Sequence, residues 1–577
     1  MRRINLFTIP AGAAFADELA RGVLARFSDA HDPFVLSRVL ILLPTRRAIR
    51  TLSDAFVRVS ARAVTVLPRM RALGDFDDAP SLLDDLSEDL ASESVATLAP
   101  PMLPLRREFL LTKLVQRWSE SEERRALGTT TPALALKLAR ELIALLDQAT
   151  AEGLAWERLE DLVPAELSQH WEQTLAFLKI LTQEWPKLLA AEFASDPSTH
   201  RDAALRRAAE TWRTSPPDHP IVAAGSTGSV PATAELLKTI AYLPNGAVVL
   251  PGIDLALDGE AWEATEAGHP QHGMRQLLLR MDATRGDVEK WSDAPEPRAA
   301  RVRLLAEALR PAETTPAWRD FVGEEQKLIA EGLRGLSTVV ARTQAEEALA
   351  IALAMREAVE TPGKTAALVT PDRMLARRVA GELKRWGIGI DDSAGTPLAH
   401  TLPGRFLCLI ADAAAEEFAP VPLLALLKHP LTALWFAERS EARRLATALE
   451  EEVLRGLRPG PGLQGLRRIV DPKLPTAELV RRLETGYGPL ASAMVEGTHD
   501  LRVLARLHRE AAEMLSALAD SAEQPLWEHE AGEAALELFA AIDAASLDAG
   551  LQMSGSDYAA FIREVMETVP VRPHIAR

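Results

Sequence analysis

Residues 39–71 read VLILLPTRRAIRTLSDAFVRVSARAVTVLPRMR, and this stretch decides the fold class. Its first part, Val39–Leu43, is a continuous apolar run, which is typical of a strand buried on both faces of a parallel sheet. Arg46–Val59 has helical character, and Val64–Leu67 is a second strand-like run that Pro68 stops. Strand, helix and strand in this order predict a doubly wound parallel sheet.

The same alternation extends in both directions along the chain. Upstream, Ile4–Ile9 predicts a strand, and Ala14–Phe27 predicts a helix with apolar residues at helical spacing. Downstream, Ile221–Ala224 and Ala247–Leu250 predict two further strands of the same sheet. Residues 81–215, which lie between, form long amphipathic patterns. One α/β domain is therefore expected to be interrupted by a helical insertion.

A second α/β pattern follows the first. The run KTAALVT (364–370) and Ile388–Ile390 predict strands on either side of a helix, and helical patterns dominate from about Arg405 onward. We therefore expect an α/β fold in four parts. These are a sheet domain at 1–80 and 216–330, a helical insertion at 81–215, the first part of a second α/β domain at 331–410, and a helical region at 411–577.

The composition is that of a soluble globular protein, because 25% of the 577 residues are charged and 47% are apolar. No apolar run reaches the about 18 residues that a membrane-spanning helix needs, so no membrane association is expected. The single cysteine, Cys408, cannot form an internal disulfide or a cysteine-held metal site. A reducing, cytoplasmic location is the expectation.

Charge is distributed unevenly. The net charge is −17, but residues 1–71 hold twelve arginines and five acidic residues, which gives that block +7 and leaves −24 for the rest. Phosphates are bound by clustered lysine and arginine. A basic block on an acidic body indicates one localised anionic partner.

The motifs of a nucleotide-hydrolysing site are missing. A phosphate-binding loop carries glycines, a lysine and a serine or threonine between a strand and a helix. Ile9–Asp17, IPAGAAFAD, occupies that place and keeps the turn but has no lysine. The GKT tripeptide at 363–365 precedes a strand-like run, and Asp254 has no glutamate after it, so we expect it to be a loop or capping residue. The pattern predicts a degenerate ATPase fold with no catalytic residue, metal or cofactor of its own.

Polar and basic residues follow the predicted strands at the end where open α/β sheets bind ligands. Arginine offers forked donors and a planar face to phosphates and bases, so these residues are candidates for binding a ligand that carries both. The alternative is that the arginines pair with acids of the helical insertion. The candidate binding residues are Thr45, Arg46, Arg47, Arg69, Arg71, Ser226 and Thr227.

Taken in order, several segments resemble the AddB subunits of AddAB helicase–nucleases, in their α-proteobacterial form. The segments are FTIPAGAAFADELARGVL (7–24), ILLPTRRAIRTLSDAFV (41–57), LPRMRALGD (67–75), AAGSTGSVPATAELL (223–237), GAVVLPGID (246–254), HPQHGMRQLLLRMDATRGDVEKW (269–291) and the stretch from QAEEALAIALAMREA (344–358) to HTLPGRFL (400–407).

The resemblance implies a superfamily 1 helicase-like fold, in which the four parts would be domains 1A, 1B, 2A and 2B. It implies an AddA-type partner that supplies the ATP-driven motor and holds ATP and Mg²⁺. It also implies single- and double-stranded DNA ends as ligands, in break repair by recombination. By motif position, the residues that would line the path of one DNA strand are Thr45, Arg46, Arg69, Arg71, Ser226 and Thr227, and Arg47 is predicted to bind DNA with them.

One departure from the family pattern is large. AddB-type proteins normally continue into the rest of domain 2A and a nuclease domain, often with an iron–sulfur cluster. Because this sequence stops at VPVRPHIAR, we expect it to be a portion of a longer protein. Nuclease activity, its Mg²⁺ and any cluster would belong to the missing part.

Two other hypotheses stay open at this point. The chain is alternatively an active ATP-dependent DNA helicase with an unrecognised nucleotide site, or an interaction scaffold that binds no DNA. Nucleotide affinity separates the first alternative from the leading hypothesis, and salt-dependent DNA affinity separates the second.

Overall fold

The computed structural model describes residues 4–28, 32, 34–60, 66–73, 99–120, 130–154, 177–293, 298–519 and 524–572. The chain divides into two compact units. Unit 1 comprises Met1–Met102, Ala144–Leu175 and Leu181–Ser337, and unit 2 comprises Leu103–Ile143, Ala176–Ile180 and Thr338–Arg577. The predicted helical insertion at 81–215 is therefore shared between the two units.

The α-helices of the described residues, in chain order, are α1 (Phe15–Phe27), α2 (Arg46–Val59), α3 (Pro104–Ser119), α4 (Pro132–Glu152), α5 (Trp185–Ala191), α6 (Pro197–Thr214), α7 (Pro231–Tyr242), α8 (Gly259–Glu263), α9 (His272–Arg280), α10 (Ala299–Ala308), α11 (Trp318–Glu324), α12 (Gln326–Gly332), α13 (Gln344–Glu360), α14 (Arg373–Lys384), α15 (Leu402–Ala415), α16 (Pro420–Leu427), α17 (Arg439–Leu449), α18 (Gly462–Ile469), α19 (Thr476–Val495), α20 (Leu501–Ser516), α21 (His529–Ser546) and α22 (Gly555–Glu567). The strands are β1 (Leu6–Ile9), β2 (Leu40–Leu43), β3 (Arg69–Ala72), β4 (Ile221–Ala224), β5 (Gly246–Pro251), β6 (Glu289–Lys290), β7 (Thr396–Pro397), β8 (Thr498–Asp500), β9 (Gln552–Ser554) and β10 (Pro570–Val571). None of the helices in the described ranges is long and apolar enough to cross a membrane.

Unit 1 is built on a six-stranded parallel sheet in the order β3-β2-β4-β5-β1-β6. Alternate residues of β2 face opposite sides of it. Leu40 and Leu42 pack against residues of α6, α7 and α9, whereas Ile41 and Leu43 pack against α1 and α2. The fully buried strands explain why their sequences are continuously apolar. The predicted α/β class is confirmed at this level.

The third strand is not where the sequence predicted it. β3 spans Arg69–Ala72, after Pro68, whereas Leu67 is not in a strand and residues 64 and 65 lie outside the described residues. Proline is compatible with the start of an edge strand, and β3 pairs only with β2 among the described strands. The prolyl ring therefore precedes the strand that it was expected to end.

Unit 2 is a helical core around α15. Residues on every side of this helix are buried, among them Phe406, Cys408 and Ile410. Helices α3 and α4 join the same core from far upstream. Phe109 of α3 packs on Phe561 of α22 at 5.7 Å between ring centroids.

The strands predicted at 364–370 and Ile388–Ile390 are not formed. No backbone–backbone hydrogen bond joins either segment to another extended segment of the described chain. Leu368 and Ile388 pack against the small cluster between α13 and α14, while Val369 is 93% exposed. These residues have strand composition but no partner strand, and a strand requires one.

Candidate nucleic-acid interface

Two polar loops lie side by side where the strands of unit 1 end. β2 and β4 are neighbours, and Leu42 is opposite Ala223. Thr45 and Ser226 each come three residues after this pair. Both residues therefore lie at the same level beyond the carboxyl ends of β2 and β4. Neighbouring parallel strands are about 4.8 Å apart. The structure therefore brings together the predicted loop after β2 and the predicted loop after β4.

The loop after β2 opens directly into α2. The Thr45 hydroxyl accepts a hydrogen bond from the backbone N–H of Ala48 at 3.2 Å, which caps the helix. Arg46 and Arg47 occupy the first turn of α2, and all three predicted side chains are exposed. The cap fixes the backbone from which the two guanidinium groups extend.

The loop after β4 depends on two glycines. Gly225 and Gly228 have φ values of +77° and +60°, which favour residues without a Cβ. The Ser226 hydroxyl accepts a hydrogen bond from the Gly228 N–H at 3.3 Å. Ser226 and Thr227 are both half-buried. The loop presents hydroxyl groups beside Thr45, and hydroxyl groups suit contacts with a phosphate backbone.

A crevice of about 640 Å³ opens at this edge of the sheet, between the two loops and the start of α1. Phe15, Pro44 and Pro251 give it apolar walls. Arg58 also lines it and forms an ion pair with Asp17, with 2.7 Å between the guanidinium nitrogen and the carboxylate oxygen.

Phe15 and the ion pair between Asp17 and Arg58 belong to the site but were not among the residues predicted from the sequence. The available signal was the position of Phe15, immediately after the turn that lacks a lysine. The pairing of Asp17 with Arg58 joins α1 to α2 across 41 residues, and no local pattern predicts it.

Arg69 and Arg71 lie within β3 and not in a loop after a strand, which corrects their expected position. Arg69 is opposite Leu40, the first residue of β2, and Arg71 is opposite Leu42. At about 3.3 Å per residue, Arg69 is roughly 15 Å below the level of Thr45 along the strand direction. Both side chains are half-buried, on the face of the sheet that carries Leu40 and Leu42. The structure therefore separates Arg69 from the two loops.

The carboxylate that follows β5 is engaged in a turn. Asp254 follows β5, and its Oδ1 accepts hydrogen bonds from the N–H groups of Ala256 and Leu257 at 2.8 and 2.9 Å. It closes a turn, as expected for a loop aspartate. Within the described ranges, no group of three or more histidine, cysteine, aspartate or glutamate side chains could hold a metal ion.

This edge of the sheet combines exposed arginines, hydroxyl groups and an apolar crevice within one unit. Its geometry suits a chain of phosphates with flat apolar groups attached, since arginine and hydroxyl groups bind the former and aromatic or prolyl surfaces contact the latter. Of the residues that line the crevice, all in the described part, two are arginines and none is a lysine. No protein-family model and no curated protein sequence matches the chain.

Proposed function

We propose that the chain is a DNA-binding, helicase-like subunit that has lost its own nucleotide site and works in a helicase–nuclease complex on broken DNA ends. The observation that carries the proposal is the meeting of two loops at one level of the sheet edge, Thr45–Arg47 and Ser226–Thr227, beside a crevice without lysine. An AddA-type subunit would supply ATP hydrolysis, and the resemblance noted above supports that partner.

The test is single-strand DNA binding measured by fluorescence anisotropy of a labelled oligo(dT) across a salt series. The affinity of wild-type protein should fall steeply with salt, with a slope of about −0.7 per phosphate contacted. The double variant Arg46→Ala/Arg47→Ala should bind oligo(dT) more weakly and with a flatter salt slope, because two cations near the DNA strand are lost.

A matched control is Arg303→Ala, which removes an equally exposed arginine of α10 in the same unit. It should leave both affinity and slope unchanged. An equal loss per arginine removed, in the control and in the double variant, would show general charge attraction and refute a localised site. No binding by folded protein, with or without the partner, would favour the scaffold hypothesis.

The active-helicase alternative has a separate test. A lysine offsets phosphate charge in ATPases that have a phosphate-binding loop. The basic residues that line the crevice, all in the described part of the chain, are both arginines. A fluorescent ATP analogue with Mg²⁺ should therefore show no saturable binding to the isolated chain. Saturable binding would return the active-helicase hypothesis to first place.

A further inference from the structure

A second concavity, a groove of about 980 Å³, opens at the opposite edge of the unit 1 sheet, where the strands begin. Asn5 precedes β1 and Pro244 precedes β5, and both line the groove. Its floor is one face of α7, formed by Glu235, Lys238 and Tyr242 at helical spacing. The end of α6 and the end of α9 supply the walls. The groove is thus separate from the DNA-binding edge.

The charges of the groove favour an anionic occupant. Its lining includes three basic residues and one acidic residue. The Lys238 ammonium is held by the Asp282 carboxylate at 2.6 Å and by the Arg280 carbonyl at 2.8 Å. Arg213 is paired with Glu235 at 3.2 Å. The exposed Arg280 guanidinium has no ion-pair partner among the residues described, and it lines the same groove as Lys238.

A buried donor in the same groove lacks an acceptor. Trp212 is 1% exposed and lines the groove, and its indole Nε1–H has no hydrogen-bond partner within the described chain. The indole N–H groups of Trp185, Trp291 and Trp318 donate to acceptors at 3.1, 3.3 and 2.7 Å. Buried polar groups are hydrogen-bonded in the great majority of cases. This donor is covered from solvent, so it stays unsatisfied in the free protein and a ligand in the groove does not reach it.

We propose that this groove binds an acidic peptide segment of a partner protein. A carboxylate of the peptide pairs with the exposed guanidinium of Arg280. An apolar or prolyl side chain packs between Tyr242 and Pro244. The site depends on the groove alone and stands whether or not the opposite edge binds DNA.

A peptide fits better than a nucleic acid. Arg213 and Lys238 are already paired with the carboxylates of Glu235 and Asp282. Arg280 is therefore the one lining cation without an ion-pair partner among the described residues, which suits a peptide with one carboxylate better than a polyanion. The middle of the groove is apolar, with Tyr242, Leu243 and Pro244 in the lining. Aromatic and prolyl surfaces are typical of sites that bind extended peptides.

The experiment selects a phage-displayed library of random 12-residue peptides on the full chain, and then measures the selected peptides by fluorescence anisotropy. Selected sequences should be enriched in aspartate or glutamate next to proline or a large apolar residue. Arg280→Glu should weaken their binding at least about tenfold, because the carboxylate loses its charged donor and meets a like charge. The control Arg303→Glu makes the same charge change on α10 and should have no effect.

Other outcomes overturn the proposal. Failure to enrich any sequence, enrichment without acidic residues, or unchanged binding to a folded Arg280→Glu protein would each exclude an acidic peptide. Displacement of the peptide by oligo(dT) or by inorganic phosphate would assign the groove to a phosphate ligand instead. Oligo(dT) binding at the opposite edge is read separately through Arg46 and Arg47, so failure of one proposal is distinguishable from failure of the other.

Discussion

Arg46 and Arg69 carry the same charge but lie at different levels of the sheet, and this difference is measurable. Arg46 begins α2 at the carboxyl edge, whereas Arg69 is opposite Leu40 near the amino end of β2. A DNA strand that follows the two polar loops contacts Arg46 at the carboxyl edge of the sheet and does not reach Arg69, which lies nearer the amino end of β2. We therefore expect Arg46→Ala to reduce the magnitude of the salt slope of oligo(dT) binding by about 0.7 and Arg69→Ala to reduce it less.

Anisotropy titrations of the two single variants at several salt concentrations check this expectation. If Arg69→Ala flattens the salt slope as much as Arg46→Ala does, the DNA strand also runs along β3. The path inferred from the two loops would then be wrong.

Thr45 both caps a helix and belongs to the DNA-binding loop. Replacing it with alanine removes the acceptor of the Ala48 N–H, so we expect a loss of about 1 kcal/mol in the free energy of unfolding of unit 1. Thr45→Ser keeps the hydroxyl and should recover most of that stability. Urea denaturation of both variants gives the comparison. A Thr45→Ala protein as stable as wild type would show that the capping bond contributes nothing in solution.

At the scale of the element, two adjacent side chains test whether residues 364–370 form a covered strand. Leu368 packs against the cluster between α13 and α14, and the neighbouring Val369 is 93% exposed. Val369→Lys should change the free energy of unfolding by less than about 0.5 kcal/mol, as expected for a surface position. Leu368→Ala should cost about 1 kcal/mol or more, because apolar contact is lost.

Denaturant titrations of the full chain measure both changes. A large loss for Val369→Lys would mean that this side chain is covered in solution. Residues 364–370 would then be packed against a further part of the protein, contrary to the structure.

The elements that the sequence predicted well are those whose local pattern and burial agree. Val39–Leu43 is continuously apolar because both of its faces are covered, and β2 lies there. β3 was misplaced because Arg69 and Arg71 alternate with buried Met70 and Ala72 on an edge strand, a pattern that resembles a polar loop. The run at 364–370 was predicted as a strand from composition alone, but strand formation depends on a neighbour that local sequence does not reveal.

The candidate site was predictable to a similar extent. Thr45 and Ser226 follow apolar strands, so their place at the carboxyl edge could be inferred from the sequence. Their adjacency could not, because it depends on β2 pairing with β4, which lies far along the chain. The role of Arg58 could not be inferred, since its partner Asp17 lies on another helix.

At the scale of the whole molecule, acidification should destabilise unit 2 more than unit 1, because the two histidines whose pKa falls to about 4 lie in unit 2. His508 lies in the core of unit 2, where its Nε2–H donates to the Leu407 carbonyl at 3.0 Å and its Nδ1 accepts from the Tyr558 hydroxyl at 2.9 Å. Burial lowers the pKa of His508 to about 4, so the folded protein keeps it neutral. Burial, together with the charge of Arg405, also lowers the pKa of the half-buried His429 to about 4.

The sign of the effect follows from these pKa values. Below pH 6.5 the unfolded chain takes up protons on these histidines before the folded chain does, so unit 2 loses stability as the pH falls from about 6.5 to about 4. His508 alone accounts for about 3 kcal/mol of that loss, and the more exposed His429 adds less.

Thermal unfolding of the full chain checks this separation. We expect two transitions, with oligo(dT) raising the midpoint of unit 1 and acidification from about pH 7 to about pH 5 lowering that of unit 2. His508→Phe should lower the unit 2 midpoint at neutral pH and reduce its dependence on pH. A unit 2 midpoint that is independent of pH in the wild type would contradict the neutral, buried state of His508.

The joining of α3 and α4 to the core of unit 2 has a consequence for biosynthesis. Arg140 of α4 donates to the backbone carbonyl of Glu564, 424 residues later in the chain, and Phe561, the packing partner of Phe109, is even further along the chain from it. At about 5–20 residues per second, the ribosome needs roughly 20 to 85 s to make that interval. The apolar faces of α3 and α4 therefore leave the ribosome well before their packing partners exist. A chaperone that shields such faces has its longest opportunity to act in this interval.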